Sequence, residues 1–251
     1  MKFARDTWLV FSRQMQLMLR NPVWLIVGII QPMFYLLLFA PLLKPALGAH
    51  TNAEAYKIFV PGLLVMLAIF GPLFTGFGLI AELRAGIIER SRVTPVSRVA
   101  LMLGRSLRDV ATLLFQGVLI TVIAVLFGFR VRPLDAVLAF VMLGAIALML
   151  SGVSYAVALK VRSEDALAPL INTVSQPVLL TAGILLPLTF APTWLKRIAD
   201  VNPFSWAVDG VRALFAGHPG ASSVWEASLV VGVLTVLAVV WASRAFARGV
   251  R

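Results

Sequence analysis

The sequence predicts an all-α polytopic membrane protein with six transmembrane helices. Both termini are expected in the cytoplasm, with an amphipathic interfacial helix at the N-terminus and a re-entrant helical segment after span five. Three observations predict this. The 251 residues are 60% hydrophobic and 13% charged. Soluble domains average about 45–50% apolar and about 25% charged, so a water-soluble chain of this length would have too little polar surface to cover its core. The charges are separated by six long uncharged gaps, and the cations collect on alternate sides of those gaps.

Residues 1–20 come first and are amphipathic. At 100° per residue, Lys2, Arg5, Asp6, Arg13, Gln16 and Arg20 fall on one face, with Trp8, Phe11, Met15, Met18 and Leu19 on the other. Such a helix is expected in the cytoplasmic interface, either as a simple anchor, the reading its composition favours, or as a lever joining a cytoplasmic partner to the first span.

The spans follow from the gaps, because a charged side chain at the bilayer centre costs about 2.5–3.5 kcal/mol. They are expected at about 22–43, 58–81, 110–129, 136–159, 169–188 and 227–243. About 20 residues at 1.5 Å each cross a core roughly 30 Å thick. The fifth gap holds Pro169, Pro177, Pro187 and Pro192 and is too long and too broken for one straight helix, so its second part is expected to dip back. Counting Lys and Arg with the N-terminus inside places 15 on the cytoplasmic side and 7 outside. That asymmetry sets the orientation and places the chain as a multi-pass protein of the cytoplasmic membrane. Ala46-Leu47-Gly48 faintly resembles a cleavage site, but the apolar run before it is too long and begins too late for a signal peptide, so the first span is expected to be retained. The whole of 1–251 reads as one membrane domain.

Between spans two and three, the helix of span two is expected to continue through Glu89 and Arg90. Pro95 then forces a break, since it removes an amide donor and biases Thr94 out of the helical region. Ser97 is placed to cap the returning helix. The resulting elbow, 84–98, is more elaborate than a connection between adjacent helices needs and carries both acidic and basic residues, which points to a docking surface.

After span five, residues 189–216 are expected to form outer re-entrant or interfacial helices. Asn202-Pro203 starts one, with Pro at the first helical position. Asp209 and Arg212 are spaced for a helical pair, and Gly217-His218-Pro219-Gly220 ends it. Asn202, Pro203, Asp209 and Arg212 are the candidate outer gate.

Function is bounded next by what the residues permit. There are no cysteines and only two histidines, His50 and His218, far apart in sequence, which leaves no start for a metal or thiolate site. No Lys follows a Gly, so a Gly-Lys phosphate loop is impossible. Serine-nucleophile motifs are missing as well. The formal +11 charge is read as topology rather than as an affinity for nucleic acid. Inside the spans, Gln31, Gln116, Asn172 and Gln176 are neutral polar groups, suited to bonds between helices or to lining a pathway. No ionisable relay of the kind used by proton- or ion-coupled carriers is expected at depth.

These pieces together resemble the ABC type-2 transporter permeases, and most closely the daunorubicin-resistance-like drug-export subunits. The resemblance lies in the basic amphipathic N-terminus, the elbow EL…GIIER…VTPVSR…L…GR and the late PTWLKRIADVNPFSWAVDGVRAL, and it covers essentially the whole chain. It implies a non-catalytic membrane subunit of an ATP-driven exporter that moves a hydrophobic or amphiphilic substrate such as a drug, lipid or glycolipid. It implies two separate ATP-binding-cassette subunits carrying the ATP and Mg, a second permease copy or homologue, the lipid bilayer as surroundings, and no cofactor on this chain. The elbow, with Glu82, Gly86, Glu89, Arg90, Thr94, Pro95, Ser97 and Arg98, would be the coupling helix. The N-terminal helix, with Trp8, Phe11, Arg13 and Arg20, would be the connecting helix. The alternative is an ATP-independent carrier or channel, which would transport as a purified chain driven only by a gradient.

Overall fold

The computed structural model describes residues 2–21, 23–39, 52–88, 96–184, 188 and 191–249. The described residues contain helices and no strand. In chain order the helices are α1 (Lys2–Arg20), α2 (Val23–Phe34, continued by a π-helical turn Tyr35–Phe39), α3 (Asn52–Leu73), α4 (Thr75–Arg84), α5 (Arg98–Leu126), α6 (Pro133–Val161), α7 (Glu164–Thr181), α8 (Thr193–Val201), α9 (Pro203–Phe215) and α10 (Ser222–Gly249).

Among the described residues, four stretches are long and apolar enough to cross a membrane: Glu54–Arg84, Arg98–Leu126, Pro133–Val161 and Ser222–Arg248. They correspond to the second, third, fourth and sixth expected spans. The first expected span is described only over part of its length, with Ile26–Leu38 a shorter apolar helix. At the fifth, α7 begins five residues before Pro169 and ends at Thr181, short of Leu188. Its end is set by Gly183, whose φ of +66° is a conformation that side-chain-bearing residues avoid.

The observed helices overrun the uncharged gaps. The third expected span begins at 110, yet α5 starts at Arg98 and carries Arg105, Arg108 and Asp109 within it. Counting charges cuts a helix where the first charge appears, whereas the fold keeps the helix going and pairs the charges.

The central element is α6, which packs against α3, α4, α5, α9 and α10. It is apolar on all sides, the pattern of a helix enclosed by neighbours. One apolar cluster fills the half of the bundle around Phe59, Leu63, Ile146, Val211 and Leu214. A second, with Leu79, Ile80, Met102, Tyr155 and Phe246, lies toward the elbow.

The α3–α4 stretch is kinked at Phe74. Pro72 cannot donate a helical hydrogen bond, and the helix breaks two residues later. Ser154 on α6 satisfies the groups this releases: its hydroxyl donates to the Leu73 carbonyl at 2.5 Å and accepts from the Gly76 amide at 2.9 Å. Gly76 is required for the approach, because a Cβ there would lie 2.9 Å from the Ser154 carbonyl oxygen.

Candidate coupling site

The elbow end of the bundle is held by a set of ion pairs reaching across several helices. Glu82 near the end of α4 meets Arg105 of α5 at 2.5 Å, with the Arg105 side chain 8% exposed and Glu82 23% exposed. One turn further into α5, Arg108 pairs with Asp109, its Nε donating at 3.0 Å. The Tyr155 hydroxyl of α6 donates to the other Asp109 oxygen at 2.6 Å. Asp109 is buried, so its carboxylate is held by two donors in place of water. Arg84 of α4 reaches Glu164 of α7 at 3.3 Å, an exposed pair of little energetic weight. Arg98 at the start of α5 donates to the Ala247 carbonyl at 2.6 Å, satisfying an otherwise unpaired acceptor at the C-terminal end of α10.

The expected elbow residues fall on both sides of the described structure. Ser97 caps α5 as anticipated, its hydroxyl accepting from the Ala100 amide at 3.1 Å. Glu89, Arg90, Thr94 and Pro95 lie outside the described residues. The expectation that the helix of span two continues through Glu89 and Arg90 is corrected. The helix is interrupted after Arg84 by the turn Ala85–Gly86, where Gly86 has φ +67°, and Ile87 and Ile88 return to helix. The break comes at Gly86 because only a residue without a Cβ takes that conformation at no steric cost.

Helix α1 packs along α5. The side it buries holds Thr7 and Gln14, between the two faces expected from the hydrophobic pattern, while Trp8 and Leu19 stay exposed. The reason is close approach: a Cβ on Gly104 of α5 would lie 2.7 Å from Val10 and 2.9 Å from the Thr7 carbonyl oxygen. Thr7 tolerates burial because its hydroxyl donates to the Phe3 carbonyl at 2.9 Å. Phe11 packs its ring 5.2 Å from that of Trp8, and Arg13 and Arg20 are exposed.

The candidate pathway residues are not brought together in one site within a single chain. Gln116 is buried on α5, facing Gly28 of α2, where a Cβ would lie 2.6 Å from its Nε2. Gln31 is exposed on α2, and Asn172 and Gln176 are exposed one turn apart on α7. Asn172 donates back to the Ala168 carbonyl at 2.9 Å.

At the opposite end of the bundle, two of the four candidate gate residues, Asn202 and Arg212, tie α9 to α7 and the turn after it. Asn202 caps α9, accepting from the Phe204 amide at 2.9 Å, and donates to Val178 and Thr181 of α7 at 3.1 and 2.8 Å. Pro203 opens α9. Arg212 donates to the Gly183 carbonyl at 2.7 Å and lies 3.8 Å from Asp209. Burial pushes the Arg212 guanidinium down from its ordinary value, with Asp209 opposing that shift. The turn after α7 is pressed onto α3, since a Cβ on Gly62 would lie 2.2 Å from the Ile184 carbonyl oxygen.

Reading charges as span boundaries missed Arg105, Arg108 and Asp109 as a paired set, and missed Ser154 and Tyr155 altogether. The available signal was the adjacent polar pair Ser154-Tyr155 inside an otherwise apolar run.

A helical bundle of this kind, with four apolar helices long enough to span among the described residues, is a multi-pass membrane protein. The model of the ABC-2 type transporter family matches residues 5–216, and the chain belongs to that family, whose members are membrane permeases. It is 28% identical over 232 residues to the ycf38 transport permease of Cyanophora paradoxa, covering 90% of this chain and 80% of the relative. It is 27% identical over 223 residues to the daunorubicin resistance ABC transporter permease protein DrrB1 of Streptomyces coeruleorubidus, covering 88% and 77%. To the inner membrane transport permease YadH of Escherichia coli K12 it is 26% identical over 234 residues, covering 90% and 89%.

Proposed function

We infer that this chain is the membrane subunit of an ATP-driven exporter in the plasma membrane, coupling hydrolysis on two separate ATP-binding-cassette subunits to outward movement of a hydrophobic or amphiphilic substrate. It has six spans with both termini cytoplasmic, and it works with a second permease copy or homologue. Residues 1–20 are the connecting helix, 84–98 the coupling elbow and 189–216 the outer re-entrant segment. ATP and Mg reside on the partner subunits.

The observation that carries this reading is the tie between the two arms of the elbow. Glu82 and Arg105 join α4 to α5 at the root of the segment, and Asp109 with Tyr155 joins α5 to the central helix. A force applied at the elbow therefore reaches α6 through charge-assisted bonds rather than through a slack loop. Family membership and the similarity to a permease named for daunorubicin resistance support the exporter direction and the amphiphilic cargo. Gln31, Asn172 and Gln176 on exposed helix faces are suited to a seam with the second permease, where polar groups find partners at depth.

The test is co-purification with a soluble ATPase, followed by replacement of the elbow charges. E89A and R90A are expected to leave the complex assembled while separating ATP hydrolysis from transport. If both variants keep full substrate-stimulated hydrolysis and export, the elbow assignment is wrong. Gradient-driven transport by the purified chain alone in liposomes would instead establish the ATP-independent carrier.

A further inference from the structure

We propose that the end of the bundle opposite the elbow carries a binding site for a phosphate-bearing group, formed by Lys57, Arg130 and Arg132. The inference is independent of the coupling role of the elbow.

These three cations come from two separate places in the chain. Lys57 lies on the second turn of α3, and Arg130 and Arg132 lie in the connection from α5 to α6. They line one open cavity of about 360 Å³, closed on its other side by Phe215, Ala216, Gly217 and His218 after α9. Phe215 of its wall is buried with its ring 5.7 Å from that of the buried Phe129, and Gly217, with φ +83°, turns the chain after the end of α9.

The cations have no structural employment that accounts for their convergence. At the elbow end Arg84, Arg105 and Arg108 each meet a carboxylate. Among the described residues, no ion pair includes Lys57, Arg130 or Arg132, and no carboxylate lines the cavity. Glu54, one turn before Lys57, is not in its wall, and the buried Asp135 at the start of α6 lies behind it, its Oδ2 4.0 Å from where a Cβ on Gly217 would stand. Like charges gathered on one wall repel, and an anion between them relieves that repulsion. These residues also run against the charge bias that orients the chain, which places 15 of its 22 cations on the elbow side.

The chemistry selects a phosphate. Two guanidinium forks and one ammonium match a group with several anionic oxygens, whereas a single carboxylate occupies one fork. The group can arrive on a lipid or as a free anion. Leu126, Phe127 and Leu134, flanking the arginines in sequence, are exposed, 80% in the case of Leu126, which favours a phosphate that brings acyl chains with it.

The experiment uses the purified full chain in maltoside micelles, with binding read from thermal stabilisation during titration. The probes are dioctanoyl phosphatidylglycerol, dioctanoylglycerol and inorganic phosphate. Saturable binding of the phosphatidylglycerol and none of the dioctanoylglycerol is expected. R130Q/R132Q is expected to weaken the phosphatidylglycerol at least about tenfold, and K57Q, on a different helix, about threefold. R244Q/R248Q, which removes two exposed charges from the elbow end of α10, is expected to stay within about twofold of the parent. If inorganic phosphate also binds and is lost in R130Q/R132Q, the site recognises the phosphate alone; if only the lipid binds, it recognises a lipid headgroup. Should R130Q/R132Q fail to fold, K57Q decides. The proposal is overturned if both site variants bind the phosphatidylglycerol like the parent, if R244Q/R248Q loses as much as R130Q/R132Q, or if the dioctanoylglycerol binds as tightly.

Discussion

Neutralising Glu82 is predicted to destabilise the chain more than neutralising Arg105, although the two share one bond. Arg105 is 8% exposed and its Nε has no partner among the described residues, so in E82Q a buried guanidinium loses the carboxylate it is bonded to. In R105Q the abandoned carboxylate is 23% exposed and water can take over part of its solvation. Removing one partner of a fully buried pair costs about 3–5 kcal/mol. The partial exposure of Glu82, and the amide oxygen that glutamine retains, reduce this to about 2 kcal/mol for E82Q and about 1 kcal/mol for R105Q. For a chain of this size about 1 kcal/mol corresponds to roughly 2–4 °C in the unfolding midpoint. E82Q should therefore melt about 4–8 °C below the parent and R105Q about 2–4 °C below. The double variant should fall no further than E82Q, since it leaves no orphaned charge. The assay is thermal unfolding of the full chain in detergent at one fixed scan rate, at about 0.05 M and again at about 0.5 M salt. A buried pair is poorly screened, so the E82Q effect should persist at high salt. The reasoning is refuted if either single variant melts within about 1 °C of the parent, or if the double variant shows the sum of the two shifts.

Further outcomes follow from the hydrogen bonds at the kink and at the start of α9. S154A should cost about 1–3 kcal/mol in the same melts, because it orphans the Leu73 carbonyl and the Gly76 amide at the kink. G76A should also be destabilised and should not be rescued by S154A, since the backbone oxygen of Ser154 would remain 2.9 Å from the new Cβ; rescue would show that the side-chain clash is the whole obstacle. N202A should lose about 1–2 kcal/mol, measured as a lower midpoint, through loss of the α9 cap together with the bonds to Val178 and Thr181. N202D, which keeps only the cap, should recover part of that loss.

Much of this fold was legible because its signals are local. The uncharged run 136–159 reads as a span, and it falls within α6, the element that the other long helices pack on. Ser97 and Asn202 announced helix starts, since a cap is a relation between residues two or three positions apart. The Asp209–Arg212 spacing likewise predicted a pair that forms. The failures are all matters of distance along the chain. Asp109 reads as the edge of a span until Tyr155, 46 residues later, supplies the donor that lets it be buried. The side of α1 that meets α5 is not carried by hydrophobic periodicity, because the approach is set by the missing Cβ of Gly104. The break at Gly86 was missed because Pro95 is the louder signal, although glycine in a left-handed turn stops a helix as effectively as proline does.

The two ties on α4 constrain how the elbow end can work. Helix α4 is 10 residues long, about 15 Å, and is held at both ends: Ser154 clamps its start to α6, and Glu82 fastens its end to α5. A displacement of the elbow cannot be absorbed by bending α4, because a helix of under three turns with no internal proline or glycine beyond Gly76 and Gly78 near its start is stiff along most of its length. It must either swing α4 about the Phe74 kink or carry α5 with it. The first motion would pull the Leu73 carbonyl and Gly76 amide from Ser154, leaving two buried backbone groups unpaired at a cost of about 1–3 kcal/mol each. The second keeps every tie and moves Arg105, Asp109 and, through the Asp109 bond, Tyr155 of the central helix. Rigid transfer through α5 to α6 is thus the lower-cost route. A variant that severs the α5–α6 bond without touching the elbow, Y155F, separates the two routes, because it should impair coupling only if force travels along α5.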